Sequence, residues 1–130
     1  MMKIYLAGPM RGIPQFNFPA FHEAAARLRA DGHTVFSPAE RDIERHGGVD
    51  ISADNATGDL KHAAETHGFS LRVALAEDTA WICREADAIA LLPGWAASRG
   101  ATAEFFLAEA LGLKVIELVD LPNPGEEDYE

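Results

Sequence analysis

Short apolar runs alternate with amphipathic stretches along most of this chain, and this alternation constrains its fold more than any other feature. Four runs have the length and composition of buried strands, at residues 3–7, 33–36, 88–92 and 114–119. Three stretches between them show helical periodicity, at residues 18–31, 71–86 and 101–111. Strands that alternate with helices predict an α/β fold: a single doubly wound, mostly parallel sheet with helices on both faces.

Local signals set the ends of these helices. Asn17 is placed to cap the first helix, Gly32 to end it in a left-handed conformation, and Ser70 to cap the second helix. Residues 39–68 break the alternation, because they are polar and punctuated by glycine. We therefore expect them to form a long excursion with one short helix, of a kind that is uncommon without a function.

The size and charge of the chain limit what it can bind. Its 130 residues, 48% of them hydrophobic, suit one compact domain over residues 1–121, followed by an acidic, solvated tail at 122–130. The net charge of -10 argues against binding to polymeric nucleic acid, which requires clustered Lys and Arg. Any nucleotide ligand is expected to be a small molecule.

Cysteine content and hydropathy indicate the compartment. Cys83 is the single cysteine, so no disulfide forms within the chain, and no Cys/His spacing resembles a zinc site. No apolar stretch approaches the roughly 20 residues of a membrane span, and the N-terminus lacks the features of a signal peptide. We expect a cytoplasmic protein without a membrane partner.

A glutamate in the last predicted helix occupies an unusual position. Glu104 falls in the first turn of that helix, on the same stripe as Leu107, Ala108 and Leu111. A capping box does not explain it, because Ala101 stands where that motif needs Ser or Thr. Either Glu104 lies at the edge of the stripe and is favoured by the helix dipole, or it points into a pocket at the carboxyl end of the preceding strand.

A second carboxylate is predicted to point inward from the middle helix. Asp78 lies at helical spacing among Leu71, Leu75 and Ile82, which define the apolar stripe. It could brace a loop by accepting backbone N–H groups, or it could pair with Glu104. In a pair, the helix dipole would keep Glu104 ionised, while apolar surroundings would raise the pKa of Asp78.

Two loops have the composition of anion-binding sites. Arg11 follows the first strand between Gly8 and Gly12, and Ser98 and Gly100 precede the last helix. Both loops follow strands of one parallel sheet, so we expect them to open onto the same crevice and to hold a 5'-phosphate. The usual Gly-rich phosphate motifs are absent.

The segments that carry these residues, at positions 5–12, 77–87, 98–104 and 112–115, resemble the nucleoside 2-deoxyribosyltransferase superfamily. Within it, the chain is most similar to the small DUF4406 proteins of bacteria and phages. It shares features with 2'-deoxynucleoside 5'-monophosphate N-glycosidases and hydroxymethyl-CMP hydrolases. The resemblance implies that Glu104 is the nucleophile and that Asp78 is the second catalytic carboxylate. It implies that Tyr5 positions Glu104; from the sequence alone, Tyr5 could equally be a residue that only fills space in the strand. It also implies a set of substrate-binding residues: Gly8, Met10, Arg11, Gly12, Asp87, Ser98 and Gly100.

The function expected from this resemblance is cleavage of the N-glycosidic bond of a (deoxy)nucleoside 5'-monophosphate, without metal or cofactor. Two alternatives stay open: base exchange on free deoxynucleosides, and a nucleotide-binding module without turnover. The resemblance further implies a homodimer or higher homo-oligomer. Trp95 is either an interface or base-stacking residue, or part of the core.

Overall fold

The computed structural model describes residues 1–119. Four strands form one parallel sheet in the order β2-β1-β3-β4. The strands are β1 (Lys3–Ala7), β2 (Thr34–Phe36), β3 (Ala88–Leu91) and β4 (Lys114–Glu117). The predicted α/β class with a doubly wound parallel sheet is confirmed. The predicted acidic tail lies outside the described residues.

Within residues 1–119, five α-helices surround the sheet. They are α1 (Phe18–Ala30), α2 (Pro38–Arg45), α3 (Leu60–His67), α4 (Leu71–Glu85) and α5 (Arg99–Ala110). No helix in this part of the chain is long and apolar enough to cross a membrane.

Alternating side chains of β1 contribute to two separate cores. Ile4 and Leu6 face a cluster that includes the buried side of α1. Tyr5 and Ala7 face the opposite cluster, which is built from α4 and α5. Because successive strand residues point to opposite faces of a sheet, β1 is buried on both sides. Tyr5 is thereby directed under the two helices that carry Asp78 and Glu104.

The polar stretch at 39–68 holds most of α2 and all of α3, where one short helix was predicted. Local signals for both were present. Pro38 stands at the start of α2, where a missing N–H costs nothing. The Asp59 side chain accepts a hydrogen bond from the Lys61 amide at the start of α3, and Gly68 ends that helix with φ 72°.

The start of α1 also differs from its prediction. Asn17 has φ 61° and makes no side-chain cap; its Nδ2 instead donates to the Pro9 carbonyl at 3.0 Å. Gln15 and Phe16, the two residues before it, have left-handed φ values of 56° and 51°. The chain turns sharply here, and Asn17 fixes the loop after β1 rather than the helix end. Gly32, with φ 94°, follows α1 as predicted.

Two apolar residues assigned to helix stripes are exposed. Leu71 at the start of α4 is 46% exposed, and Leu111 lies just beyond the last residue of α5 at 45%. The buried face of α4 consists of Ala74, Asp78 and Ile82. Ser70 caps α4 as predicted, by accepting from the Val73 amide at 3.2 Å.

Candidate active site

A cleft of about 830 Å³ opens beyond the carboxyl ends of β1 and β3. These two strands are neighbours at the centre of the sheet. The chain passes from β1 outward to β2 on one side, and from β3 outward to β4 on the other. Open α/β sheets bind ligands at such a switch point. The loops after β1 and β3 both line this cleft, so they share a crevice as predicted. Its volume lies in the range of small-molecule sites.

Tyr5 and Glu104 form a buried hydrogen bond beneath this cleft. The Tyr5 hydroxyl donates to Glu104 Oε2 at 2.7 Å. Tyr5 is fully buried, stacks on Phe36 with ring centroids 5.5 Å apart and lies 6.4 Å from the Trp81 ring. Tyr5 is therefore a partner of the carboxylate, and the strand-filler interpretation does not account for its contacts.

Burial raises the pKa of Glu104 to about 8; Asp78 adds to this rise, and the Tyr5 hydrogen bond opposes it. Burial therefore outweighs the helix dipole, which was expected to keep Glu104 ionised. Ser98 caps α5 by accepting from the Ala101 amide, so the helix begins at Arg99 and Glu104 is its sixth residue. The dipole effect falls off within the first turn, whereas desolvation acts at full strength on a side chain that is 6% exposed.

Asp78 lies on the α4 side of the same cleft and is 5% exposed. Its Oδ1 has no hydrogen-bond partner, and no backbone N–H of residues 1–119 bonds to the carboxyl, which leaves the loop-bracing interpretation without support. Burial raises the pKa of Asp78 to about 7, as predicted; nearby Asp42 adds to the rise, while Arg45 and the Tyr5 hydroxyl oppose it. Since the charge of Asp78 raises the pKa of Glu104 and the Tyr5 hydroxyl lowers the pKa of both carboxyls, we treat the two as a coupled pair.

The sequence analysis missed a third buried carboxylate on the cleft. Asp42 of α2 is 5% exposed and lines the cleft. Arg45, one turn later, donates to Asp42 Oδ1 at 2.5 Å, reaches Glu77 at 2.7 Å and lies 4.0 Å from Asp78. Burial raises the pKa of Asp42, and Arg45 opposes that rise. The i, i+3 spacing of Asp42 and Arg45 could have indicated this pair. That spacing brings side chains together only on a helix, and no helix was assigned to these residues.

The predicted anion-binding residues meet at the cleft. Met10 and the exposed Arg11 approach from the loop after β1, and Ser98 and Gly100 from the start of α5. Gly8 also lines the cleft, where its Cα packs so closely on Leu92 that a methyl group would collide with it. Ser98 Oγ accepts from the Ala101 amide at 3.2 Å, which leaves its hydroxyl hydrogen free to donate.

A family model described as a domain of unknown function, DUF4406, matches residues 2–117. The chain belongs to the DUF4406 family. The match spans all four strands of the DUF4406 fold and every cleft residue named above. Comparisons of the chain with curated proteins and with solved structures find no match.

Two predicted substrate-binding residues of this DUF4406 chain do not line the cleft. Asp87 precedes β3, where its Oδ2 accepts from the Lys3 amide at 2.9 Å. That edge of the sheet is opposite the carboxyl ends of the strands, so Asp87 lies away from the cleft. Gly12 has φ 82° and donates its N–H to the Gly58 carbonyl at 2.9 Å, and it shapes the loop that carries Arg11.

Trp95 of the DUF4406 domain is partly buried and packs on Phe105, with ring centroids 4.7 Å apart. It belongs to the cluster on the α4 and α5 side of the sheet, in agreement with the core alternative. The His, Cys, Asp and Glu side chains of residues 1–119 form no group of three or more that could hold a metal ion.

Proposed function

We propose that this protein cleaves the N-glycosidic bond of a nucleoside or deoxynucleoside 5'-monophosphate and releases the base. The observation that carries the proposal is the 2.7 Å hydrogen bond from Tyr5 to Glu104, with Asp78 on the same cleft. Two carboxyl groups with raised proton affinity, one of them oriented by a phenol, are suited to divide nucleophilic and proton-transfer roles.

The reaction proceeds in two balanced steps. Tyr5 engages Oε2 of Glu104, so Oε1 attacks the anomeric carbon C1'. The bond between C1' and the base nitrogen breaks, its electrons pass to the base, and protonated Asp78 transfers its proton to the base. A water molecule then attacks C1' of the glycosyl ester, releases the Glu104 carboxylate and returns a proton to Asp78.

The reactive protonation state has Glu104 ionised and Asp78 protonated, which is the minority form of the free protein because Glu104 has the higher pKa of the two, about 8 against about 7. The hydrogen bond from Tyr5 favours the charged form of Glu104. Asp78 Oδ1 has no hydrogen-bond partner among the described residues, an environment that favours a neutral carboxylic acid. The coupled pair is thus expected to retain one proton near neutral pH, and the pH profile should be bell-shaped.

The 5'-phosphate is assigned to the two loops of the cleft. The Arg11 guanidinium can form charge-assisted hydrogen bonds to phosphate oxygens. Ser98 and Gly100 supply a hydroxyl donor and backbone N–H groups at the start of α5, where the helix dipole favours an anion. A phosphate held there fixes the sugar between Glu104 and Asp78, which favours 5'-monophosphates over free nucleosides.

The test is a panel of nucleosides and 5'-monophosphates assayed for free base, with Glu104→Gln and Asp78→Asn beside the wild type. We expect base release from monophosphates, loss of turnover in Glu104→Gln, and a decrease of roughly 10²–10⁴-fold in Asp78→Asn. The matched control is Glu109→Gln on the exposed face of α5, which should retain wild-type activity. Unchanged base release in Glu104→Gln would contradict the mechanism.

The same assay separates the other two activities. Addition of a second free base yields a new nucleoside if the enzyme transfers the sugar, and free sugar if it hydrolyses the bond. Calorimetric binding of a nucleotide without base release, at high protein concentration and long incubation, would instead identify a binding module.

A further inference from the structure

The Asp42 carboxyl presents an unused acceptor to the cleft. Its Oδ1 accepts from Arg45 Nη1, whereas its Oδ2 makes no hydrogen bond within residues 1–119. The side chain is 7% exposed and lines the cleft. An ionised carboxylate accepts hydrogen bonds through both oxygens, so Oδ2 can accept one from a ligand in the cleft.

Asp42 and Asp78 lie on the same side of the cleft, on either side of the Arg45 guanidinium. Arg45 Nη1 contacts Asp42, and Nη2 lies 4.0 Å from Asp78 Oδ1. The charge of Asp42 also raises the pKa of Asp78, as expected for close neighbours. A base that receives a proton from Asp78 is therefore placed on the side of the cleft that Asp42 lines.

We propose that Asp42 Oδ2 accepts a hydrogen bond from an exocyclic amino group of the base, so that the substrates carry amino-bearing bases. This inference rests on the proposed glycosidic cleavage and names its substrate class. A carboxylate has no proton to donate, so a base with a carbonyl at the same position would place two acceptors against each other. Cytosine, with an amino group at C4, satisfies Asp42; uracil, with an oxygen there, does not.

The experiment compares the 5'-monophosphates of cytidine and uridine, and of their deoxy forms, which differ within each pair only at the C4 side of the pyrimidine. We expect kcat/KM for the cytosine nucleotide to exceed that for the uracil nucleotide by roughly 10²-fold, since a buried acceptor left unpaired is strongly discriminating. In Asp42→Asn the side-chain amide can donate to the uracil carbonyl. The ratio should fall to about one or below.

A matched variant separates direct contact from an effect through Arg45. Glu77→Gln removes another carboxylate partner of Arg45, but Glu77 does not line the cleft. The cytosine-to-uracil ratio should be unchanged in Glu77→Gln. The ratio is measured within one preparation, so a smaller folded fraction in any variant cancels.

A wild-type ratio near one, an unaltered ratio in Asp42→Asn, or an equal change in Glu77→Gln would each overturn the inference. Calorimetric affinities for the same nucleotides test the role of Asp42 in base recognition independently of glycosidic cleavage. A cytosine preference in binding that Asp42→Asn abolishes, without base release, overturns the glycosidase proposal alone. Absence of binding to both nucleotides overturns both.

Discussion

The hydroxyl of Tyr5 donates to Glu104 Oε2 at 2.7 Å, across 99 positions of sequence. This contact joins the central strand β1 to α5 and lies in the buried cluster on the α5 side of the sheet. Burial raises the pKa of Glu104, and the contact opposes that rise. It therefore acts on both the orientation and the charge of the carboxyl.

The first prediction concerns Tyr5→Phe. The substitution keeps the ring packing and removes the hydrogen bond, and a hydrogen bond to a charged group contributes about 1.5–3 kcal/mol. We expect kcat for base release to fall by roughly 10–100-fold. Because the bond lowers the pKa of Glu104, its loss should also move the acidic limb of the pH–rate profile to higher pH. An unchanged profile would show that the phenol only fills space.

The second prediction concerns stability against pH. The ordinary pKa of Glu104 is 4.5, and burial raises it to about 8 in the folded protein. Between these values the folded state binds more protons than the unfolded state, so the free energy of unfolding should fall as pH rises through this window. Glu104→Gln cannot titrate and should be more stable than the wild type at pH 8, by ~2–4 kcal/mol.

Urea unfolding at pH 5 and pH 8 checks this difference. The raised pKa of Asp78 contributes in the same direction up to about pH 7, so Glu104→Gln should retain part of the slope. Asp78→Asn combined with Glu104→Gln should give the flattest profile. Exposed Glu109 provides the control, because Glu109→Gln should follow the wild-type curve. Parallel curves for wild type and Glu104→Gln would show that the buried carboxyl titrates normally.

The third prediction separates phosphate binding from chemistry. Arg11→Ala should raise KM for 5'-monophosphates by roughly 10–100-fold, through the loss of about 1.5–3 kcal/mol of charge-assisted hydrogen bonding. Values for free nucleosides should change little, because they lack the phosphate. Exposed Arg72 on α4 provides a control cation, in the variant Arg72→Ala. Equal effects of Arg11→Ala on both substrate classes would show that this loop does not bind the 5'-phosphate.

Periodicity predicted the sheet class and the main helices because burial follows it directly. The central strands β1 and β3 are buried on both faces, and Ser70 marked the start of α4. The prediction for residues 39–68 missed a helix because the helices there are short and polar. Only Ala63 of α3 is buried, so the apolar stripe on which periodicity depends is nearly absent there.

The inward placement of Asp78 and Glu104 was predictable from helical spacing, but their proton affinities were not. A two-residue shift in the start of α5 moves Glu104 from the first turn to the second. There the dipole is weak and desolvation determines the pKa. Asp42 was missed for a related reason, because its burial depends on a helix that the pattern did not indicate.

The final prediction concerns Gly58, which supports the loop that carries Arg11. Gly58 has φ 69°, and its carbonyl accepts from the Gly12 amide at 2.9 Å. A Cβ at this position would collide with the backbone carbonyl of Ile13 and lie 2.8 Å from the Gly12 nitrogen. Gly58→Ala must therefore displace backbone as well as adopt a left-handed conformation.

Gly47 is the matched control, since its φ is 68° and a Cβ added there would meet no atom within 4 Å. Gly47→Ala should cost only the left-handed strain, about 1–2 kcal/mol. Gly58→Ala should cost a further ~1–3 kcal/mol from overpacking, measured by urea unfolding. Its displaced loop should also raise KM for monophosphates in the folded fraction, an effect absent in Gly47→Ala. Equal losses in both variants would show that the contact between residues 58 and 13 relaxes freely and does not hold Arg11 at the cleft.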